Sequence, residues 1–424
     1  MAKSRQQSRG NEREDSSLLR PYDPERDRAA TRRIWREIGW IGKDEEERMS
    51  RYVEAGRALV AELDGEAECL VCMASGVMRY GEEDLPFSGV TGVTTSRVAR
   101  KQGIAGRLLA RALAQDARDG ALVAGLGMFE QGFYNHLGFG TLGYEHIMGF
   151  DPAHLQVKST HRAPKRISKS DYEKCHAARL RRRRGHGALN LFPSELTRGE
   201  MEEHEDNFGM GYLDANGDVT HALWVKPKEV SSGPYRILWM VWNTRDEFLE
   251  LMSLVKSWGD QVHLVRMAEP AGIQIQDLVR QPLKHREVTS KGDYSGGGHA
   301  IAYFQARMLD VQGCLARTRI AGPSVRFNLR LTDPIERFLE EGGCWQGTAG
   351  NYVVTLGPDS SAQSGNDPGL HTLEATVNAF TRLWLGVRPA TGLAVTDDLS
   401  GPQALLESLD SNLRLPTPAF DWDF

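Results

Sequence analysis

Two changes of hydrophobic period between Val90 and Gly140 organise the chain. Val90–Thr95 (VTGVTT) is a β-compatible run, and a basic turn, Arg97-Val98-Ala99-Arg100-Lys101-Gln102-Gly103, comes after it. Ile104, Leu108, Leu109 and Leu113 then recur at steps of four, one and four, which is one face of a helix, and Gly120 sits just past its last turn. Strand, glycine-containing turn and helix in that order leave the first helical amides without intrahelical partners, at the positive end of the helix dipole. With Arg100 and Lys101 beside it, this is a cradle for an anion such as a diphosphate.

The same reading finds helices at Thr31–Gly39 and Asp44–Ala55, strands at Ala58–Leu63 and Glu68–Arg79 turning at Asp64-Gly65, and another strand at Leu122–Met128. Strand pairs followed by strand–helix–strand imply an α/β unit with a mixed sheet. Asp151-Pro152 marks a boundary. Past it, residues 208–230 read as a hairpin turning at Asn216-Gly217, Tyr235–Trp242 as a strand, Thr244–Trp258 as a helix and Gln261–Met267 as a strand. The order of elements repeats, but no basic glycine loop sits at this second strand–helix junction. His299–Arg307, Ser324–Leu331, Gly350–Leu356 and Leu370–Thr376 read as further strands, and Asn378–Leu385 and Pro402–Leu409 as helices.

Length fits two to three domains with ample core, at 424 residues. A net charge of −5 argues against a chain built around nucleic acid. The run Arg181–Arg184 is followed by the acidic stretch Glu200–Asp206, so it reads as a solvated face or one paired with that stretch. No run of eighteen apolar residues exists, so no membrane-spanning helix is expected. The polar start, MAKSRQQSRGNEREDSS, lacks the apolar stretch of a secretory signal and is expected to be a disordered tail. Five scattered cysteines fit a reducing cytoplasm. Cys69 and Cys72 have the spacing of a metal or redox pair, but they lie inside a strand-like run and no second pair occurs, so no metal is expected. Gly292–Gly298 lacks the Lys-Ser/Thr and helix of a phosphate loop.

Arg100-Lys101-Gln102-Gly103-Ile104-Ala105 resembles the Arg/Gln-x-x-Gly-x-Gly/Ala pyrophosphate loop of the GNAT acetyltransferases, and Phe133-Tyr134-Asn135-His136-Leu137-Gly138-Phe139-Gly140 resembles their FYxxxGFG segment. Arg97 and Ala99 depart from the family, many members of which carry Pro and an aromatic or His there. The resemblance implies acetyl-CoA as co-substrate, with Arg100, Lys101, Gly103 and Ala105 around its diphosphate and Val93 and Thr95 on the strand that pairs with pantetheine. It implies Tyr134 as the general acid that protonates the leaving thiolate. Phe304-Gln305-Ala306-Arg307-Met308-Leu309-Asp310-Val311 resembles the segment opening the third domain of the Eis-like (enhanced intracellular survival) family, in which two GNAT domains precede one with a sterol-carrier-protein fold. The expected fold class is therefore α/β (α+β), with two tandem GNAT-like domains of mixed sheet and a sterol-carrier-protein-like domain. The expected division is a tail at 1–17, a cofactor-binding domain at 18–150, a second, non-catalytic one at 151–307 and the last at 308–424.

The chain ends Leu415-Pro416-Thr417-Pro418-Ala419-Phe420-Asp421-Trp422-Asp423-Phe424, apolar and aromatic where termini are normally polar and frayed. In Eis-like enzymes such a tail carries its terminal carboxylate into the first GNAT domain. Carried over, Phe424 supplies the general base through that carboxylate and Asp423 holds a substrate cation; His136 ranks below the terminus as a base. An amine nucleophile near pKa ~10.4 must lose a proton before it attacks, and an α-carboxyl at roughly 3.3–3.7 becomes a better base when desolvated. Trp35 reads as core, and Trp40, between Gly39 and Gly42, as a pocket wall. The acceptor is a primary amine, on an aminoglycoside-like polycation or a lysine side chain, and the sequence does not choose between them. The family assembles as homo-oligomers, often hexamers. A non-turning acyl-CoA-binding scaffold and a lipid binder working through its last domain are the rival readings.

Overall fold

The computed structural model describes residues 18–282 and 292–424, so the expected tail at 1–17 lies outside it. Three sheets form. In spatial order the first is β1 (Leu18–Pro21), β2 (Arg57–Leu63), β3 (Glu66–Tyr80), β4 (Glu83–Thr95), β5 (Val123–Gly127), β15 (Phe304–Met308) and β6 (Gly140–Thr141), with β9 (Leu189–Leu191) pairing on β3. The second is β14 (Gly297–Ile301), β7 (Glu145–Phe150), β13 (Val265–Ala268), β12 (Tyr235–Val241), β11 (Val219–Pro227), β10 (Phe208–Leu213) and β8 (Lys165–Ile167). The third is β18 (Ser361–Ser364), β17 (Gly350–Leu356), β16 (Val325–Thr332), β19 (Thr372–Thr376) and β20 (Leu399–Ser400). Each sheet is mixed, with one parallel pair: β4–β5, β12–β13 and β16–β19. The fold is a mixed α/β one of GNAT-like sheets.

Side-chain alternation along β2 and β3 explains the first layer. Leu59, Ala61, Cys69 and Val71 face α3 (Ile104–Arg118), whereas Ala58, Val60, Leu70 and Cys72 face α1 (Pro24–Glu37) and α2 (Glu46–Glu54). Both faces are covered, so the strand reads as a near-continuous apolar run. Cys69 and Cys72 thus project to opposite faces and cannot ligate one ion together. Trp35 is 7% exposed and packs in this core, as expected. α1 opens on Asp23, whose carboxylate accepts from the Glu25 amide, with Pro24 in the first turn.

The run expected as one strand at His299–Arg307 is two. β14 ends at Ile301 in the second sheet and β15 starts at Phe304 in the first, so the chain crosses between sheets at Ala302-Tyr303. Similarly, β6 closes the first sheet and β7 enters the second. Sheet membership therefore changes near Gly143 and Ala302, a few residues from the expected boundaries at 150 and 307. The third unit packs directly on the outer half of β3 and β4: Tyr80 stacks on Trp384 at 4.4 Å, and its hydroxyl donates to the Trp384 carbonyl. Among the described residues no helix is long and apolar enough to cross a membrane.

Candidate active site

β4 and β5 pair only at Phe87–Val123, Ser88–Ala124 and Gly89–Gly125. β4 then continues to Thr95 against β3 alone, and β5 turns toward β15, so the two strands part after Gly89. Where they part, the register against β3 slips between Cys72–Gly92 and Met73–Val90 and leaves Thr91 as the extra residue of a bulge. The Thr91 carbonyl accepts from the Tyr52 hydroxyl at 3.1 Å. Val93 and Thr95 are half-buried on this open stretch.

At its end the chain turns through two left-handed residues, Lys101 (φ +64°) and Gly103 (φ +74°). The conformation costs a non-glycine residue roughly 1–2 kcal/mol, which Lys101 bears and Gly103 avoids. Gly103 is the N-cap of α3 and gives it no side-chain cap, so the first amides face outward beside the exposed Arg100 and Lys101. Ala105 is half-buried in the first turn.

Tyr134 lies on the short α4 (Gln131–Asn135), capped by Glu130, whose carboxylate accepts from the Gly132 and Phe133 amides. It is 7% exposed and packed edge-on by Phe133 and Phe139. Burial, with smaller contributions from Tyr303 and Glu130, pushes its phenol up to about 12, so it carries its proton at neutral pH. The turn after it is held from elsewhere in the chain. Arg307 donates to the Leu137 carbonyl and pairs with Asp333 at 2.6 Å, both side chains fully buried, and Asn378 donates to the Phe139 carbonyl at 2.8 Å. Gly138 sits at φ +83°, and a Cβ there would stand 2.7 Å from Arg307 Nη1. His136 is exposed.

The C-terminal tail reaches this site from the third unit. Phe420, 2% exposed, fills the space over Gly125, edge-on to Phe87. The Phe424 ring lies where a Gly89 Cβ would meet it at 3.2 Å, stacked on Phe304 at 6.1 Å. The last residue therefore stands at the point where β4 and β5 separate. Asp423 keeps solvent access while protein surrounds it. Burial raises its carboxyl, Arg236 draws it down and Glu203 raises it. Glu145, at the start of β7, is pushed up to about 7, first by burial and then by Asp423. Glu200, 2.7 Å from Arg179, is raised too, by burial acting against that arginine. Tyr303 lies within electrostatic reach of Tyr134 and of Asp423 and Glu145, and burial, then these two carboxyls, raise its phenol.

The structure thus gathers Tyr134, Asp423 and Phe424 around the β4–β5 fork, with Arg100, Lys101 and Gly103 at the far end of the open strand. Trp40 is 41% exposed and touches this region through Trp35 and Tyr52. Sequence reasoning missed Tyr303, Glu145, Glu200, Glu203 and Arg236. They carry no motif, although Tyr303 directly precedes the Phe304–Val311 segment. It also read Arg181–Arg184 as a face in which pairing with Glu200–Asp206 was one option. Arg182 is 7% exposed, and the preceding Arg179, 2% exposed, is the one that meets Glu200. Among the described residues no cluster of His, Cys, Asp and Glu could hold a metal ion.

Residues 29–142 match the family described as acetyltransferase (GNAT) domain. No curated protein matches the sequence significantly. Three solved structures share the fold over 96% of this chain and all of their own. They are a probable N-acyltransferase from Enterococcus faecalis V583 (16% identity, TM-score 0.77), a GCN5-related N-acetyltransferase from Anabaena variabilis ATCC 29413 (12%, 0.77) and Eis1 from Mycobacterium abscessus (16%, 0.75). At such identities the likeness concerns the fold. The chain thus carries an acetyltransferase (GNAT) domain over residues 29–142.

Proposed function

We propose that this enzyme transfers the acetyl group of acetyl-CoA directly to a primary amine of a small polycation. The observation that carries this reading is the seat of Phe424 at the β4–β5 fork, next in the chain to Asp423 and its group of carboxyls. The Phe424 carboxylate takes a proton from the bound ammonium, and the freed amine attacks the thioester carbonyl. The C–S bond breaks, the thiolate takes the Tyr134 phenolic proton, and the second proton shed by the acylated nitrogen restores that phenol, which leaves an amide and free CoA thiol. Val93 and Thr95 line the pantetheine arm, and Arg100, Lys101, Gly103 and Ala105 hold the diphosphate. Asp423 binds a substrate cation, and Trp40 walls the approach. Asp423 interacts electrostatically with Glu145, Glu200 and Glu203, and this group of carboxyls favours a multiply charged acceptor, such as an aminoglycoside, over a single lysine side chain.

Residues 308–424 act in this reading as a sterol-carrier-protein-like domain that delivers the tail. A cavity of about 200 Å³ in that region has Arg388 and Asp410 in its wall, which suits an acyl chain poorly. Free cysteines at all five positions fit a cytoplasmic setting. A homo-oligomer, a hexamer by resemblance, is part of the proposal and is checked by solution mass measurement.

The test is thiol release with a panel of polyamines, aminosugars and lysine peptides. Deleting Phe424 should cut turnover to a small residual rate while calorimetry still shows acetyl-CoA binding, and Tyr134→Phe should lower kcat on the order of 10²-fold. A fully active deletion would refute the base, and acetyl-CoA binding without acetylation of any amine would favour the scaffold.

A further inference from the structure

The tail meets more than the fork. Its side chains alternate between two receptors. Phe420 and Phe424 point to the first sheet, whereas Asp421 and Trp422 point to the helix Tyr172–Arg181 and to Arg182 just beyond its end. Arg182 is 7% exposed, and all five of its N–H donors have acceptors. Nε and Nη2 donate to Asp421 at 3.1 and 2.6 Å, Nη1 to the Arg179 carbonyl and Asn190 at 2.6 and 2.8 Å, and Nη2 also to the Leu189 carbonyl at 2.7 Å. The Leu189 amide donates to the same Asp421 oxygen as Nη2, at 3.1 Å. Leu189 belongs to β9, which pairs with β3 at Gly76–Met78, so the clamp is tied to the sheet that carries the site. Next to it, the Arg179 guanidinium lies between two indoles, 3.9 Å from the Trp422 ring centre and 5.2 Å from that of Trp239.

We infer that Arg182 is a positioning residue for acetyl transfer, holding Asp421 and through it setting where the last carboxylate stands beside the open edge of β4. The inference rests on the reading of that carboxylate as the base. Asp421 and the buried Trp422 are fixed, so only Asp423 and Phe424 remain to span the way to the fork, a reach of roughly 7 Å for an extended chain. A lysine cannot reproduce the clamp, because a single ammonium lacks the planar fork that serves four acceptors at once. The second unit, which has no basic glycine loop, gains a role as the receptor of the tail.

The test is a double-mutant cycle on the full chain, read as steady-state thiol release and as trimming of the C-terminus by carboxypeptidase, measured by intact mass. Arg182→Ala should lower kcat about 10- to 100-fold, in line with a misplacement of about 1 Å at the reacting groups, and leave KM for acetyl-CoA within about twofold. It should expose Phe424 to trimming, and Arg182→Lys should recover little of either. In a chain already lacking Phe424, Arg182→Ala should lower the residual rate no further. If Arg182→Ala fails to fold, Asp421→Asn, which keeps the shape and removes the charge, carries the same expectations. An equal loss of kcat with and without Phe424 would make Arg182 a merely structural residue and overturn the inference, as would unchanged kcat and unchanged trimming. Should the Phe424 deletion alone keep full activity, the base reading falls, and trimming of the Arg182→Ala chain still decides whether the clamp exists.

Discussion

The first and second sheets pose the same local question and answer it differently. In both, a strand from the parallel pair feeds a helix: β4 leads to α3, and β12 leads to the helix Arg245–Lys256. At α3 the N-cap is Gly103, which offers no side chain to the first amides. At the second helix the N-cap is Thr244, whose hydroxyl accepts from the Glu247 amide, while the Glu247 carboxylate accepts from the amides of Asn243 and Thr244 at 2.7 and 3.1 Å. That capping box satisfies the helix end internally and places a negative charge where an anion would bind. The first junction leaves those donors open and adds Arg100 and Lys101. On the proposed reading, cofactor binding at the first junction and not the second turns on what caps the helix.

The sharpest way to break this comparison is to close the first junction. Gly103→Asp puts a carboxylate at the cradle and a side chain at φ +74°. Acetyl-CoA affinity should fall by on the order of 30-fold, about 2 kcal/mol from charge and backbone together. Isothermal titration checks it, and an unaltered Kd would remove the diphosphate from this loop. The converse change sharpens the contrast. Thr244→Ala opens the second junction and should cost about 1 kcal/mol of stability, the usual worth of an N-cap, read as a lower denaturation midpoint. Acetyl-CoA should still bind with one-to-one stoichiometry, because no Arg-Lys pair flanks that helix. A second equivalent bound would mean that the cap alone had closed the site.

Some of this contrast is legible in the sequence and some is not. The α3 junction is readable because Ile104, Leu108, Leu109 and Leu113 keep helical period right after an alternating strand, and all four are buried. The crossing at Ala302-Tyr303 is not, because nothing there marks a turn and both sides alternate like one strand. The tail announces itself by its aromatic residues, yet its receptor is hidden. Arg179 and Arg182 differ from the exposed Arg181 only in where they land after folding, and a charge run gives no sign that one of its members, and an arginine just before it, will be buried against a carboxylate and an indole. The group of carboxyls around Asp423 is hidden for the same reason. Glu145, Glu200 and Asp423 come from three distant segments, and only the fold brings their fields together.

That group of carboxyls extends the comparison to its weakest but most diagnostic effect. On the proposed reading the donor end of the first site is basic, and the acceptor end holds carboxyls that burial first, and one another's charge second, keep from ionising. Glu145 has an ordinary value of 4.5 and stands at about 7 in the folded chain. The folded state thus binds its proton more tightly than the unfolded chain does. The resulting stabilisation is complete below pH 4.5 and is lost as pH rises through about 7. A polycationic acceptor prefers the ionised form. Its KM should therefore fall severalfold as pH rises through 7, and binding at pH 6 should release protons, seen as a dependence of calorimetric heat on the ionisation enthalpy of the buffer. Glu145→Gln removes the titrating group, so it should flatten both the stability slope between pH 5 and 7 and the proton release. The second sheet's junction, with its capping box intact, should contribute to neither. If the variant keeps the wild-type proton release, the charge that greets the acceptor lies on another of these carboxyls, and Asp423, also raised by burial, is the group to change next.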